Sequence, residues 1–280
     1  MSELTPEQRK AAEFKDGKII ALIAVPGSGK TRVLMERICV LVKKYGIPPE
    51  NILGLTFTKN AAEEMRTRLT ETLGERSDRV RLSTIHSFCY YLLKREKFVF
   101  EIVSGKQQLI LIKEVIKELK IKNLSVGAVL REISLAKNNL ILVEEFRDLF
   151  VSDKIMLQIA EIYELYDGLK EKRMLLDFDD LLIQSYILLK ENNDIRAKYH
   201  EMFNSILVDE YQDTNPVQLE ILKLLIKEDS SFFVVGDDHQ SIYGFAGASV
   251  GNILNFKTMF PLSEQFILDL NFRSTKKIVQ

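Results

Sequence analysis

The sequence predicts an α/β fold: a doubly wound, mostly parallel sheet with an all-helical stretch inserted into it. Three observations carry this reading. Short runs rich in Ile, Leu and Val lack the alternation of half-exposed strands, and each is followed by a turn or a helical pattern, as parallel strands covered on both faces require. A glycine-rich turn joins the first run to the first helix. Between about residues 95 and 174 no convincing strand occurs, and Lys-, Glu-, Leu- and Ile-rich helical periodicity takes over.

Residues 18–25 form the first expected strand, and Pro26-Gly27-Ser28-Gly29 the turn after it. Over residues 30–44, Val33, Leu34, Arg37, Ile38, Leu41 and Val42 recur at helical spacing, so the unit reads strand, turn, helix. Residues 51–57 and 60–73 repeat the pattern, and residues 80–84 lead into a helix from about His86. Residues 205–208, 232–235 and 265–268 supply three further strands, each short and bounded by turn or helix signals. Six strands alternating with helices give the doubly wound sheet. Within the helical stretch, residues 106–120 and 153–172 are the clearest helices, and its length favours a separate subdomain over extra helices laid on one sheet face.

At 280 residues, with 46% hydrophobic and 28% charged positions, the composition excludes a disordered chain, a collagen or a fibrous coiled coil. No apolar run approaches the roughly 20 residues of a membrane span, and the N-terminus lacks an apolar core behind basic residues. A soluble, cytoplasmic protein with no membrane partner is expected. Cys39 and Cys89 sit in apolar helical segments, and neither they nor His86 and His239 have the spacing of a zinc site. The net charge of −1 conceals an uneven distribution: +4 over residues 1–90, +2 over 91–176 and −7 over 177–280. Phosphate backbones respond to local grooves, so the total neither supports nor excludes a nucleic-acid partner.

Ala24-Val25-Pro26-Gly27-Ser28-Gly29-Lys30-Thr31 has the form of a P-loop placed between a buried strand and a helix. Pro26, Gly27, Ser28 and Gly29 would turn backbone N–H groups toward phosphate oxygens, assisted by the positive end of the following helix. Lys30 would reach the β and γ phosphates and Thr31 would hold Mg²⁺ through its hydroxyl. The bland alternative, a glycine turn with a chance lysine, does not account for the flanking elements. Hydrolysis needs a second metal ligand and a base. Asp209 and Glu210, at the C-terminal end of the run Ile206-Leu207-Val208, would supply the Mg²⁺ ligand and the group that deprotonates water. Two such acids could also form a solvated turn, although the apolar run before them and Gln212-Asp213 after them argue otherwise.

With these residues in place, the sequence resembles the UvrD/Rep/PcrA-like superfamily-1 DNA helicases, in their N-terminal portion. Leu4-Thr5-Pro6-Glu7-Gln8-Arg9-Lys10-Ala11 is similar to their Q motif, the P-loop with Arg32 to motif I, and residues 56–65 to motif Ia. Thr84-Ile85-His86-Ser87-Phe88 resembles the next DNA-contact motif, Asp209-Glu210-Tyr211-Gln212-Asp213-Thr214 motif II, residues 234–243 motif III, and Asn271-Phe272-Arg273-Ser274-Thr275 motif IV. Asp177-Phe178-Asp179-Asp180-Leu181-Leu182 resembles the segment where the family's helical insertion rejoins the first lobe; read by itself, the Asp179-Asp180 pair is a helix N-terminus with its preferred acids.

The resemblance implies a RecA-like P-loop NTPase fold: residues 1–94 as the first part of an ATPase lobe, 95–175 as the helical subdomain and 176–280 as the second part of the lobe. It implies ATP and Mg²⁺ as cofactors and an ATP-dependent DNA helicase running 3′ to 5′. Gln8 would read adenine, Arg32 and Phe272 would enclose its ring, Gln240 would contact the γ-phosphate, and Arg273 would neutralise charge on the transferred phosphoryl group. For DNA, Phe57, Tyr243 and Phe245 would stack bases, with Thr58, Asn60, Thr84 and His86 touching the strand. The partners implied are single-stranded DNA and its junctions with duplex, and a second RecA-like lobe expected to be absent from this chain, which is otherwise taken as a monomer. Three departures stand out: Val25 for a usual glycine, the order Lys59-Asn60, and Gly244-Phe245-Ala246 where Trp and then Arg are usual. Ala246 brings no charge to link motif III with the phosphates. The alternative is therefore a nucleotide-dependent DNA-binding or scaffold protein that does not translocate.

Overall fold

The computed structural model describes residues 3–14, 19–237 and 251–272. Six strands, β1 (Ile19–Ala24), β2 (Ile52–Thr56), β3 (Arg81–Thr84), β6 (Ser205–Val208), β7 (Ser231–Gly236) and β8 (Glu264–Leu268), pair in parallel in the order β3-β2-β6-β7-β1-β8. Each lies on a run expected from the sequence. Every residue of β2, β6 and β7 is buried, whereas the edge strand β8 is largely exposed. That difference is why the central strands read as continuous apolar runs.

Successive residues of the central strands enter opposite cores. Ala21, Ile206, Val208, Phe232 and Val234 face one side, packed with α4 (Ile85–Arg95), α9 (Phe178–Glu191) and α11 (Pro216–Leu225). Ile20, Leu22, Leu207, Phe233 and Val235 face the other, packed with α1 (Pro6–Ala12), α2 (Lys30–Lys43) and α3 (Lys59–Leu73). Burying each of these large side chains contributes about 1.5–3 kcal/mol. Cys39 lies in the second core and Cys89 in the first. Burial pushes their thiols up to about 11 and about 12, out of the nucleophilic range.

Between β3 and β6 the chain builds α5 (Lys106–Glu118), α6 (Val126–Asn138), α7 (Val143–Leu149) and α8 (Lys154–Lys172), then α9 and α10 (Asn193–Met202). The first four enclose a third core that includes Ile112, Val129, Ile133, Phe146, Ile159 and Tyr163. Ser125 and Asp153 cap α6 and α8 by accepting backbone N–H bonds. A parallel pair of two-residue strands, β4 (Glu101–Ile102) and β5 (Leu175–Leu176), ties the ends of this stretch together. Two residues are too few to carry an alternation signal, so the sequence shows no strand there.

A buried charged side chain ties α2 to the end of α1 and to the start of β7. Arg37 of α2 is fully buried and donates to the carbonyls of Ala12 and Phe14 and to Ser231 Oγ at the start of β7. Arg37→Met keeps the volume but removes those donors. It should lower stability by about 2–4 kcal/mol, the range for stranding several buried acceptors; urea unfolding followed by circular dichroism would read the loss.

Candidate functional site

All six strands run the same way, so their C-terminal ends fall along one edge at spacings of about 4.8 Å. Read across the sheet order, that edge presents His86 after β3, Phe57 after β2, Asp209 and Glu210 after β6, Asp237 after β7, the glycine turn after β1, and the segment reaching Phe272 after β8. Residues far apart in sequence become neighbours because β7 lies beside β1 and β6 beside β7.

The turn is built for tight backbone curvature. Gly27 and Gly29 adopt φ of 74° and 86°, in the left-handed region. A Cβ on Gly29 would stand 2.9 Å from the Gln8 amide nitrogen. Ser28 is buried and its hydroxyl donates to Val25 O at 2.7 Å, closing the turn; Pro26 is exposed. Gly29 heads α2 with no side-chain cap, leaving that helix start to whatever the turn holds. On the flank, Gln8 Nε2 donates to Ser28 O at 2.8 Å while its Oε1 accepts from Thr5 N at 3.0 Å. Each of those Gln8 atoms retains a second bonding capacity. Phe272 is exposed, its backbone N donates to Gly27 O at 2.9 Å, and it lines a small cleft with Gln8 and Ser28. Arg32 is half-buried, its Cβ 4.0 Å from the position a Gly29 Cβ would take.

Lys30 is nearly buried, its ammonium 3.1 Å from Asp237 Oδ2 and 3.8 Å from Glu210 Oε2. Thr31 Oγ1 lies 3.4 Å from Asp209 Oδ2. Burial, reinforced by the charge of neighbouring Glu210, pushes the Asp209 carboxyl up to about 7, and the same causes push Asp213 up to about 6. Glu210 has a left-handed backbone, φ 50°, uncommon for a non-glycine residue. Its carboxylate accepts from Gln212 Nε2 at 2.9 Å, and Gln212 Oε1 accepts from Asp237 N at 3.0 Å. The structure thus brings Lys30, Thr31, Asp209 and Glu210 together.

Asp237 and Gln212 were given no task by sequence reasoning. A signal for Asp237 exists: it is an acid one glycine after an apolar run, much as Asp209 follows one. Gln212 has none, because its role depends on the close approach of β7.

Phe57 is exposed at 38% although it directly follows a buried strand, so it is not a core residue. Phe57, Thr58, Thr31, Asp209 and Gln212 line one cleft of about 290 Å³. Thr58 and Asn60 are exposed at the start of α3, with the Thr58 hydroxyl accepting from Ala61 N at 3.1 Å. Thr84 differs: it is buried, and its hydroxyl accepts from Ser87 N and donates to Ser87 Oγ, the bonds of a helix cap. His86 is half-buried, burial lowers its pKa, and its ring meets Phe178 edge-on at 6.2 Å. Gln240, Tyr243, Phe245 and Arg273, like Ala246, lie outside the described residues.

A family model for the UvrD/REP helicase N-terminal domain matches residues 4–261. Over its whole length the chain is 37% identical to the ATP-dependent DNA helicase PcrA of Bacillus subtilis. It is 35% identical to the protein of that name from Staphylococcus epidermidis and 34% identical to that from Staphylococcus aureus. The chain spans 39% of the length of each of these relatives. With the glycine turn, the paired acids and the parallel sheet edge on one side, and a match running through nearly every residue on the other, the chain belongs to the UvrD/REP helicase family and carries its N-terminal domain, of RecA-like P-loop fold.

Proposed function

We propose that this chain is the ATP-binding lobe of an ATP-dependent DNA helicase that moves 3′ to 5′ along single-stranded DNA, with residues 95–175 forming a helical subdomain. The observation that carries the reading is the placement of Lys30 between Asp237 and Glu210, beside the Thr31–Asp209 pair. The separate apolar core of the insertion supports the domain division. The relatives' name supports the activity, which would belong to a protein of their full length.

The donors fit Mg²⁺. A hydroxyl and a carboxylate are hard oxygen ligands, and the Glu210 carboxylate beside Asp209 adds negative charge that a cation would relieve. Thr31 and Asp209 would hold the ion, which when bound neutralises charge on the phosphates. The backbone of residues 26–29 and the start of α2 bind the phosphate chain, and Lys30 donates to its oxygens. Glu210, held by Gln212 and by its left-handed backbone, orients the attacking water and takes its proton. Gln8, Arg32 and Phe272, gathered on the flank of the turn, hold the adenine. Gln240 and Arg273 keep the roles the resemblance gives them, at the γ-phosphate.

Phe57 stacks a base of the single strand, with Thr58 and Asn60 beside it and His86 further along the edge. Phe57 shares its cleft with Asp209, so the strand and the nucleotide occupy adjoining parts of one crevice. Tyr243 and Phe245 would extend the stacking surface. The capping bonds of Thr84 commit its hydroxyl proton, so a DNA contact there would use the remaining lone pair or the backbone.

A fluorescent ATP analogue should bind the chain with Mg²⁺, and Lys30→Ala should weaken that binding at least about tenfold through loss of a charge-assisted phosphate contact. Glu210→Gln should leave binding within about threefold while slowing hydrolysis by about 100-fold or more, the scale of a lost general base. Absence of binding to the unaltered chain would remove the nucleotide reading. Binding without any turnover stimulated by single strands would favour the non-translocating alternative.

Phe57→Ala should weaken oligothymidylate binding by about 1–3 kcal/mol, the cost of one lost stacking platform, without changing analogue affinity. Fluorescence anisotropy would read it, and unchanged DNA affinity would remove Phe57 from the strand path.

A further inference from the structure

A second polar assembly is buried where the helical insertion meets the lobe. Lys137 of α6 and Lys170 of α8 are each 2% exposed. The Lys137 ammonium donates to Asp167 at 2.7 Å and to Asp180 at 2.5 Å; that of Lys170 donates to Asp177 at 2.7 Å and also to Asp180. Asp177 and Asp180 form the reciprocal cap at the start of α9. These charges fasten the insertion to the point where the chain returns to the lobe.

The residue after Lys137 reaches further. Asn138 is buried and uses both ends of its amide: Nδ2 donates to Asp179 Oδ1 at 3.0 Å and to Ser134 O at 2.8 Å, while Oδ1 accepts from Asn215 Nδ2 at 2.5 Å. Asn215 is in turn the N-cap of α11, its Oδ1 accepting from Gln218 N at 3.0 Å. From Asn215 the chain runs back to Glu210 through a single 3₁₀ turn, Tyr211–Asp213. Asp213 N donates to Glu210 O at 2.9 Å, and the Thr214 hydroxyl donates to Tyr211 O at 2.7 Å. Residues 211–215 are all buried, so this strap has no slack. Neutral amides bond only at short range and in fixed directions, and in a buried site neither can release its partner without leaving a polar atom unsatisfied.

We infer that Asn138 is a positioning residue for Glu210, delivered by the helical insertion and acting through Asn215, so that the placement of the insertion and the setting of the water-activating carboxylate are one linked equilibrium. The inference rests on the role proposed for Glu210. Linkage makes it reciprocal: whatever turns the insertion alters the strap, and whatever resets the strap is felt at α6.

The test uses two substitutions that cut the same bond from opposite sides, with hydrolysis read in a protein of the relatives' full length that carries this chain and hydrogen exchange read in the 280-residue chain. Asn138→Ala removes the acceptor. Asn215→Ser removes the donor but keeps a residue preferred at a helix N-cap, so it serves where Asn138→Ala does not fold. In single-turnover ATP hydrolysis each variant should be slower by about tenfold with analogue affinity within about twofold, the division expected when only the reacting arrangement is disturbed. The double variant should be no slower than the slower single, since one shared bond is lost once. Wild-type rates in both singles, or losses that multiply in the double, would overturn the inference.

Hydrogen exchange without nucleotide separates this from failure of the proposed chemistry. Should Glu210→Gln leave hydrolysis unaltered, the role of Glu210 falls, yet amides 211–215 should still exchange at least about tenfold faster in Asn138→Ala or Asn215→Ser, with β7 unchanged, if the tie holds the strap closed. Exchange equal to that of the unaltered chain would remove the tie.

Discussion

Parallel strand order is the constraint on which the rest of the structure depends. A parallel sheet has one chemically distinct edge, where every strand delivers its C-terminal residue, and here the strands meeting at the centre of that edge are β6, β7 and β1. Their register is held by burial: Phe232 and Val234 belong to one core, Phe233 and Val235 to the other, and all four are fully buried. A slip of one residue would exchange the two sets and carry Asp237 away from Lys30. The apolar interior and the polar edge are therefore fixed by the same pairing.

That edge accumulates acid. Asp209, Glu210, Asp213 and Asp237 lie within reach of the glycine turn, and the Lys30 ammonium stands between two of them. Burial is the main cause of the rise of Asp209 and Asp213, and the neighbouring charge of Glu210 adds to it. Glu210 adds backbone cost, since a left-handed non-glycine residue is unfavourable by about 1–2 kcal/mol. None of this benefits the fold by itself. Packing on both sheet faces sustains an arrangement whose value, in the function proposed, is to bind phosphates and a cation, and local backbone cost of this kind is the mark of a site rather than a scaffold.

Much of this was legible in the sequence where one local rule was enough. Strands buried on both faces announce themselves as apolar runs, and the glycine turn, Lys30 and Thr31 are contiguous. Asp209 and Glu210 stand at the end of such a run, a position with a meaning of its own. What escaped was relational. Arg37 looks like one more helical residue until Ala12, Phe14 and Ser231 converge on it. Gln212 matters because β7 brings Asp237 N to it. Asp179 and Asp180 were legible as a helix start, but the N-cap Asp177 was not, and the lysine partners of Asp177 and Asp180 come from helices seven to 43 positions away in sequence. Thr84 shows the converse, since a short polar residue after a strand can be occupied in capping its own helix.

The return point of the insertion shows why such relations concentrate function. The first turn of α9 does two things at once. Phe178 lays its ring against His86, at the β3 end of the sheet edge, and Asp179 accepts from Asn138, whose other end holds Asn215 and the strap leading to Glu210. One helical turn thus touches the elements proposed to hold the strand and the loop proposed to activate water. The lysine cluster beside it fixes that turn strongly, because removing one member of a buried ion pair leaves an uncompensated charge, costing about 3–5 kcal/mol. Ion pairs tolerate small changes of angle, whereas the amide pair does not. A strong, angle-tolerant clamp next to a weaker directional one lets the insertion stay attached while small rotations are still registered at Glu210. An apolar joint of equal strength would hold the two parts together and transmit no direction.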